Sequence, residues 1–183
     1  MTYIFSGRFQ PIHNGHIELI SNFLNDYPND KLIIAIVRNY EIKEKSNFFN
    51  KQSEENFSLD RNPFNGKETL EMVSAALTKY NNRVMTTFIP RPSLETWETI
   101  QSFFDCERTW VVPTINGEFG EWENNKATFF NEQGDKVLRF FVNKNISSTD
   151  IRLIIENKQF DSLNLLIPKE VISVIQKKFM KNG

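Results

Sequence analysis

Leu32-Ile33-Ile34-Ala35-Ile36-Val37 contains no polar residue and no alternation. A continuous apolar, β-branched run of this kind suits a strand covered on both faces, which is the condition of a parallel sheet. Upstream, Tyr3-Ile4-Phe5 reads as an earlier strand, and Ile17, Ile20, Leu24 and Tyr27 share one face of a helix. The three make a βαβ unit, whose crossover is expected to be right-handed. The pattern then repeats. Leu70, Val73, Leu77 and Tyr80 form a helical stripe, and residues 83–90 read as a third strand ended by Pro90. Ser93 is placed to cap a helix carrying Leu94, Trp97, Ile100 and Phe104. Residues 108–113 read as the fourth strand, 123–132 as a short helix and 137–142 as the fifth strand. A terminal amphipathic helix carries Val171, Val174, Ile175 and Phe179. Alternating strands and helices predict a doubly wound α/β domain with five parallel strands in the order 3-2-1-4-5. Ligands should bind beyond the carboxyl ends of the strands, at the switch between the first and fourth.

Composition bounds the rest. At 183 residues the chain is expected to form a single domain, 1–183, without linkers or repeats. A formal charge of −1, with acidic and basic residues nearly balanced, argues against a surface built for nucleic acid or anionic membrane. The one cysteine, Cys106, excludes an intramolecular disulfide and fits a reducing compartment. Met1 leads directly into the first strand with no secretory pattern, and no apolar run nears the roughly 18 residues of a membrane span. A cytoplasmic protein is expected, with the oligomeric state left open.

The chemistry concentrates in Gly7-Arg8-Phe9-Gln10-Pro11-Ile12-His13-Asn14-Gly15-His16. This stretch is a strand-to-helix turn with glycines near both ends. Such a turn points backbone N–H groups at the helix N-terminus, where phosphate is favoured. The chain has only two histidines, and both lie here. Two imidazoles and Arg8 beside such a turn can donate hydrogen bonds and charge to phosphoryl oxygens that grow more negative in a transition state.

A second stretch, Ile146-Ser147-Ser148-Thr149-Asp150-Ile151-Arg152, has Ser147 as a helix cap with Asp150 in the capping-box position. Its N–H groups, the hydroxyls of Ser148 and Thr149, and Arg152 one turn in would converge on one anion.

Residues 7–16 resemble the HxGH signature of the nucleotidyltransferase superfamily, and the longer GRFQPxHxGH form is similar to the start of nicotinamide mononucleotide adenylyltransferases of the archaeal type. Residues 146–152 resemble that family's ISSTxIR motif, which clamps the nucleotide triphosphate. The resemblance implies a Rossmann-like nucleotidyltransferase fold and a transfer of AMP from ATP to nicotinamide or nicotinate mononucleotide, with loss of pyrophosphate. It implies catalytic roles for His13, His16 and Arg152. Gly7, Arg8, Phe9, Gly15, Ser147, Ser148 and Thr149 would hold the nucleotide. Asn62, Phe64 and Trp97 would meet the acceptor. Mg2+ is expected with the triphosphate, held by substrate oxygens and water, because no dedicated carboxylate cage is visible. Partners would be small nucleotides, with no nucleic acid and no membrane.

The middle of the chain departs from the pattern. Residues 61–73 resemble the family segment NPFxxGERxxMI, but Thr69 replaces its arginine and Lys67 the glycine before the Glu-Arg pair. Lys67 or Arg61 could then grip the acceptor phosphate. After the fourth strand the family's SGNP-like turn is replaced by residues 113–122, where Asn116-Gly117 signals a turn and Phe119 and Trp122 offer aromatic surface. Residues 38–66 lack periodicity and read as a lid or binding loop rather than a disordered insertion, because they hold Phe48, Phe49, Phe57 and Phe64. Trp97 has two readings: stacking on the acceptor ring, or belonging to the buried stripe of its helix. These departures keep open another HxGH transferase, acting on phosphopantetheine, glycerol phosphate or a sugar phosphate with ATP or CTP as donor; a non-catalytic nucleotide-binding regulator is the distant alternative, against which His13, His16 and Arg152 argue.

Overall fold

The computed structural model describes residues 1–38, 61–80, 82–104, 107–115, 118–143 and 146–180. Of the 38–66 stretch read as a lid or binding loop, residues 39–60 lie outside the described residues, as does the turn read at Asn116-Gly117. The strands are β1 (Thr2–Gly7), β2 (Leu32–Arg38), β3 (Val84–Pro90), β4 (Arg108–Thr114) and β5 (Lys136–Phe141). They form one five-stranded sheet in the order β3-β2-β1-β4-β5, every pair parallel. The helices are α1 (Asn14–Asp26), α2 (Gly66–Leu77), α3 (Trp97–Phe103), α4 (Glu118–Glu132), α5 (Ser148–Glu156) and α6 (Lys169–Met180).

Period-two alternation sends each strand's side chains into two separate cores. Tyr3 and Phe5 of β1, Leu32, Ile34 and Ile36 of β2, and Val111 of β4 face one core with residues of α1, α2, α5 and α6. Ile4, Ala35, Trp110 and Val112 face the other, with residues of α3 and α4. Burial on both faces explains why β2 shows no hydrophilic side in sequence. At the amino end of the sheet Asp135 accepts two bonds from Arg108 and one from Trp110 Nε1, all at 2.8 Å, tying β4 to the start of β5.

Two local expectations are corrected. Ser93 is not the cap of α3, which begins at Trp97 with Thr96 as its N-cap, and Leu94 lies outside the helix and is exposed. Ser93 and Thr96 instead bond each other, the Ser93 N–H donating to Thr96 Oγ1 at 3.1 Å and the Thr96 N–H to Ser93 Oγ at 3.3 Å. This local turn, following Pro92, satisfies groups a helix would have used. The second correction concerns Phe119 and Trp122. α4 starts at Glu118, so both sit on a helix rather than on a rim turn, and the short helix expected at 123 is longer.

Candidate active site

The turn after β1 is shaped by Gly7 and Phe9. Phe9 has φ 52°, the left-handed region, while its ring is buried. That conformation costs a non-glycine residue about 1 kcal/mol or more, and such strain gathers at functional turns. A Cβ at Gly7 would stand 3.0 Å from Phe9 Cζ, so any larger residue at position 7 requires the Phe9 ring to shift. The Phe9 ring meets Phe5 edge-on at 5.7 Å and His16 at 5.0 Å. Phe9 therefore supports the histidines with its side chain and has only its backbone to offer a phosphate.

His13 and His16 stack, with centroids 3.7 Å apart and planes 25° apart. The His13 N–H donates to His16 Nδ1 at 3.1 Å, so neutral His16 carries its proton on Nε2 and can donate from there. Burial pushes the His13 imidazole down to about 3. Burial, then the adjacent His13 and Lys126, hold His16 well below the usual imidazole range. Both rings are thus neutral near pH 7, which corrects the expectation that they bring charge: they bring hydrogen bonds. Buried His13 Nδ1 has no hydrogen-bond partner. Among the first-turn amides of α1, Asn14 N–H goes to Leu166 O at 2.8 Å and His16 N–H to His13 O at 2.9 Å. Gly15 is left as the amide able to meet an anion.

Positive charge comes from arginines. Arg8 is lowered to about 10, first by burial and then by Arg152 and Arg61. Arg152 is lowered by burial and then Arg61, against a smaller opposing effect of Glu156. Three guanidinium groups close enough to repel one another define a place where a polyanion is favoured. Arg61 was one of two sequence candidates to replace the missing arginine at Thr69. The other, Lys67, is exposed on α2.

The second motif is folded onto the first. Ser147 caps α5 as expected, its hydroxyl accepting from the N–H of Thr149 at 3.1 Å and of Asp150 at 3.5 Å. Arg152 donates to Thr149 Oγ1 and to Gln10 O, each at 2.9 Å. The expected convergence on an anion is therefore corrected in part, because several of these groups already satisfy each other. Ser148, at the first position of α5, is half-buried.

Gln10, which sequence reasoning passed over, is the hinge between the motifs and the 61–69 segment. Its side-chain amide pairs with Phe64 through both backbone groups, Nε2 to O at 2.9 Å and N–H to Oε1 at 3.0 Å, and Nε2 also reaches Thr69 Oγ1 at 3.0 Å. Thr69 is buried, with its hydroxyl engaged in that bond network. Asn62 is buried too, and Phe64 is buried in the core with Phe179 at 6.2 Å. Phe64 thus positions the segment by packing. Trp97 is 5% exposed and is ringed by Trp110, Phe129 and Phe130 at 5.2–6.0 Å. Its stripe reading holds, and the one group it keeps unpartnered is Nε1–H. Lys126, also unforeseen, places its ammonium 3.5 Å from Ser6 O at the end of β1.

The profile of a family described as cytidylyltransferase-like matches residues 4–154, spanning every residue of the site. The chain belongs to the cytidylyltransferase-like family. Among its relatives, nicotinamide-nucleotide adenylyltransferase from Thermococcus onnurineus is 28% identical over 180 residues, covering 94% of this chain and 81% of that protein. The enzyme of the same name from Methanococcus aeolicus is 29% identical over 181 residues, covering 96% and 88%. In three dimensions, the cytidylyltransferase-like chain resembles a Vibrio parahaemolyticus protein described as a candidate nicotinate-nucleotide adenylyltransferase, with TM-score 0.61, 15% identity and coverage of 97% and 93%. It also resembles a bifunctional NMN adenylyltransferase/ADP-ribose pyrophosphatase from Francisella tularensis, solved with AMP and manganese, at TM-score 0.55 and 17% identity. There it covers 85% of this chain but spans only 41% of the other.

Among the described residues no group of three or more His, Cys, Asp and Glu side chains could cage a metal ion. Among the described residues no helix is long and apolar enough to cross a membrane.

Proposed function

We propose that this protein is a nicotinamide-nucleotide adenylyltransferase, transferring AMP from ATP to nicotinamide or nicotinate mononucleotide. The carrying observation is the convergence at the carboxyl end of β1 of two stacked, neutral histidines with the mutually repelling Arg8, Arg61 and Arg152. That set suits a phosphate chain undergoing in-line displacement. The acceptor phosphate forms a bond to the α-phosphorus of ATP, and the bond to the bridging oxygen of pyrophosphate breaks. No protein nucleophile is needed. His16 Nε2–H donates to a non-bridging oxygen of the α-phosphate as its charge grows, and His13 donates beside it. Arg8, Arg152 and Ser148 hold the outgoing phosphates, with the Gly15 amide and the 7–9 backbone completing the cradle. Asn62, Phe64 and Trp97 support the acceptor side from buried positions.

The donor set here is cationic and neutral rather than acidic, so magnesium would be held by the phosphate oxygens of ATP and by water, and would supply charge to the phosphate chain. A cytoplasmic location and a single 1–183 domain belong to the same reading, supported by the match over most of the chain. The test is pyrophosphate release with ATP and magnesium, comparing nicotinamide mononucleotide, nicotinate mononucleotide and no acceptor. Release with either mononucleotide supports the proposal. Silence with both, alongside ATP binding, would overturn the acceptor.

A second reading, another acceptor or CTP, is favoured by one observation: buried Thr69 stands where archaeal-type relatives resembled above carry an arginine. The same assay with CTP and other phosphorylated acceptors separates the two.

A further inference from the structure

We propose that Lys126 is a further ligand of the nucleotide's phosphate chain, reaching it from α4 on the opposite face of the sheet from Arg152. This deepens the adenylyltransferase reading and rests on it for the nucleotide alone. The Lys126 ammonium lies 2.8 Å from Glu123 Oε2, with the two side chains 15% and 14% exposed. It also lies 3.5 Å from the carbonyl of Ser6, the residue before Gly7. Ser6 is the last residue but one of β1, at the strand switch, and Phe5 beside it contacts the His16 ring at 6.0 Å. Lys126 is near enough to oppose a positive charge on His16.

An ammonium has three donors. The contact with Glu123 is an ion pair without hydrogen-bond geometry and the Ser6 contact is at the limit of a hydrogen bond, so capacity remains for an incoming oxygen. The pair is preset by its i,i+3 spacing. A partly buried ion pair contributes little net stability, so its placement asks for another reason. The histidines supply one: both are neutral, so the phosphate they face must find fixed charge elsewhere. Arg8, Arg61 and Arg152 supply it as one cluster, and Lys126 supplies it beside His16.

The test is calorimetric binding of magnesium with α,β-methylene ATP, and in parallel the CTP analogue, without any acceptor. The variants are Lys126→Met, Lys126→Arg, Glu123→Gln and the double Lys126→Met/Glu123→Gln. Loss of a charge-assisted phosphate contact should weaken binding about tenfold in Lys126→Met and in the double variant, with Lys126→Arg closer to wild type. The double variant decides, because it removes the carboxylate that Lys126→Met would leave unpaired. Weakening of about fivefold or more there supports the proposal, and a smaller change overturns it. A wild-type protein that binds an analogue but turns over neither mononucleotide refutes the acceptor reading and leaves this test intact. One that binds neither analogue refutes both.

Discussion

Arg152 Nη1 donates to the main-chain carbonyl of Gln10 at 2.9 Å, joining positions 142 residues apart. The arginine that resemblance assigns to the triphosphate is also a tie between the first and last motifs. Gln10 passes the constraint on through its side-chain amide to Phe64 and Thr69. Nucleotide and acceptor segments are thus held by one residue.

Arg152→Lys should therefore show two losses. Stability should fall by about 1.5–3 kcal/mol, the range for a hydrogen bond to a charged group, because an ammonium cannot span Gln10 O and Thr149 Oγ1 as a fork does. Denaturant unfolding reads this. ATP affinity should fall as well, and unchanged affinity would remove Arg152 from the phosphate site.

His16→Asn retains an acceptor for the His13 N–H but deletes Nε2–H. kcat should fall by about a hundredfold or more, for a lost donor worth roughly 3 kcal/mol in the transition state. Near wild-type turnover would refute the role.

Acid should unfold this protein through its histidines. In the unfolded chain an imidazole titrates near 6.5, whereas folded His13 titrates at about 3. Between those values the unfolded state binds more protons, so stability drops as pH falls. The slope approaches about 1.4 kcal/mol per pH unit for one such histidine. Denaturant midpoints from pH 7.5 to 5 should show this decline, and His13→Gln should flatten it.

Gly7→Ala places a methyl 3.0 Å from the Phe9 ring that backs His16. Overpacking of this kind costs about 1–3 kcal/mol, and turnover should fall with it. A variant as stable and active as wild type would show that the ring yields without cost.

Trp97→Phe keeps an aromatic ring within the Trp110, Phe129 and Phe130 cluster but removes Nε1–H. Since that N–H has no partner, stability should change by less than about 1.5 kcal/mol. The acceptor KM should rise while ATP binding holds. An unchanged KM would confine Trp97 to the core.

Much of the architecture was legible because its signals are local. The unbroken Leu32–Val37 run can be satisfied only by cover on both faces, and the helical stripes give the elements that provide it. Ser147 as a cap needs nothing beyond its own helix turn. The start of α3 was misread because Ser93 and Thr96 compete for each other's groups, which a cap preference at one position does not register. Phe119 and Trp122 were misplaced because the turn signal at Asn116-Gly117 says nothing of how soon the next helix begins.

The sequence by itself determined which groups the site has to work with: two histidines, two arginines and two phosphate-suited helix starts, all carried by contiguous motifs. Only the tertiary structure decided their states. Whether an imidazole is charged depends on burial and on cations brought from other elements, here Lys126 from α4. Whether Thr69 faces a substrate or Gln10 depends on a contact across 59 residues. Such couplings are set by distances in space, to which spacing along the chain gives no access.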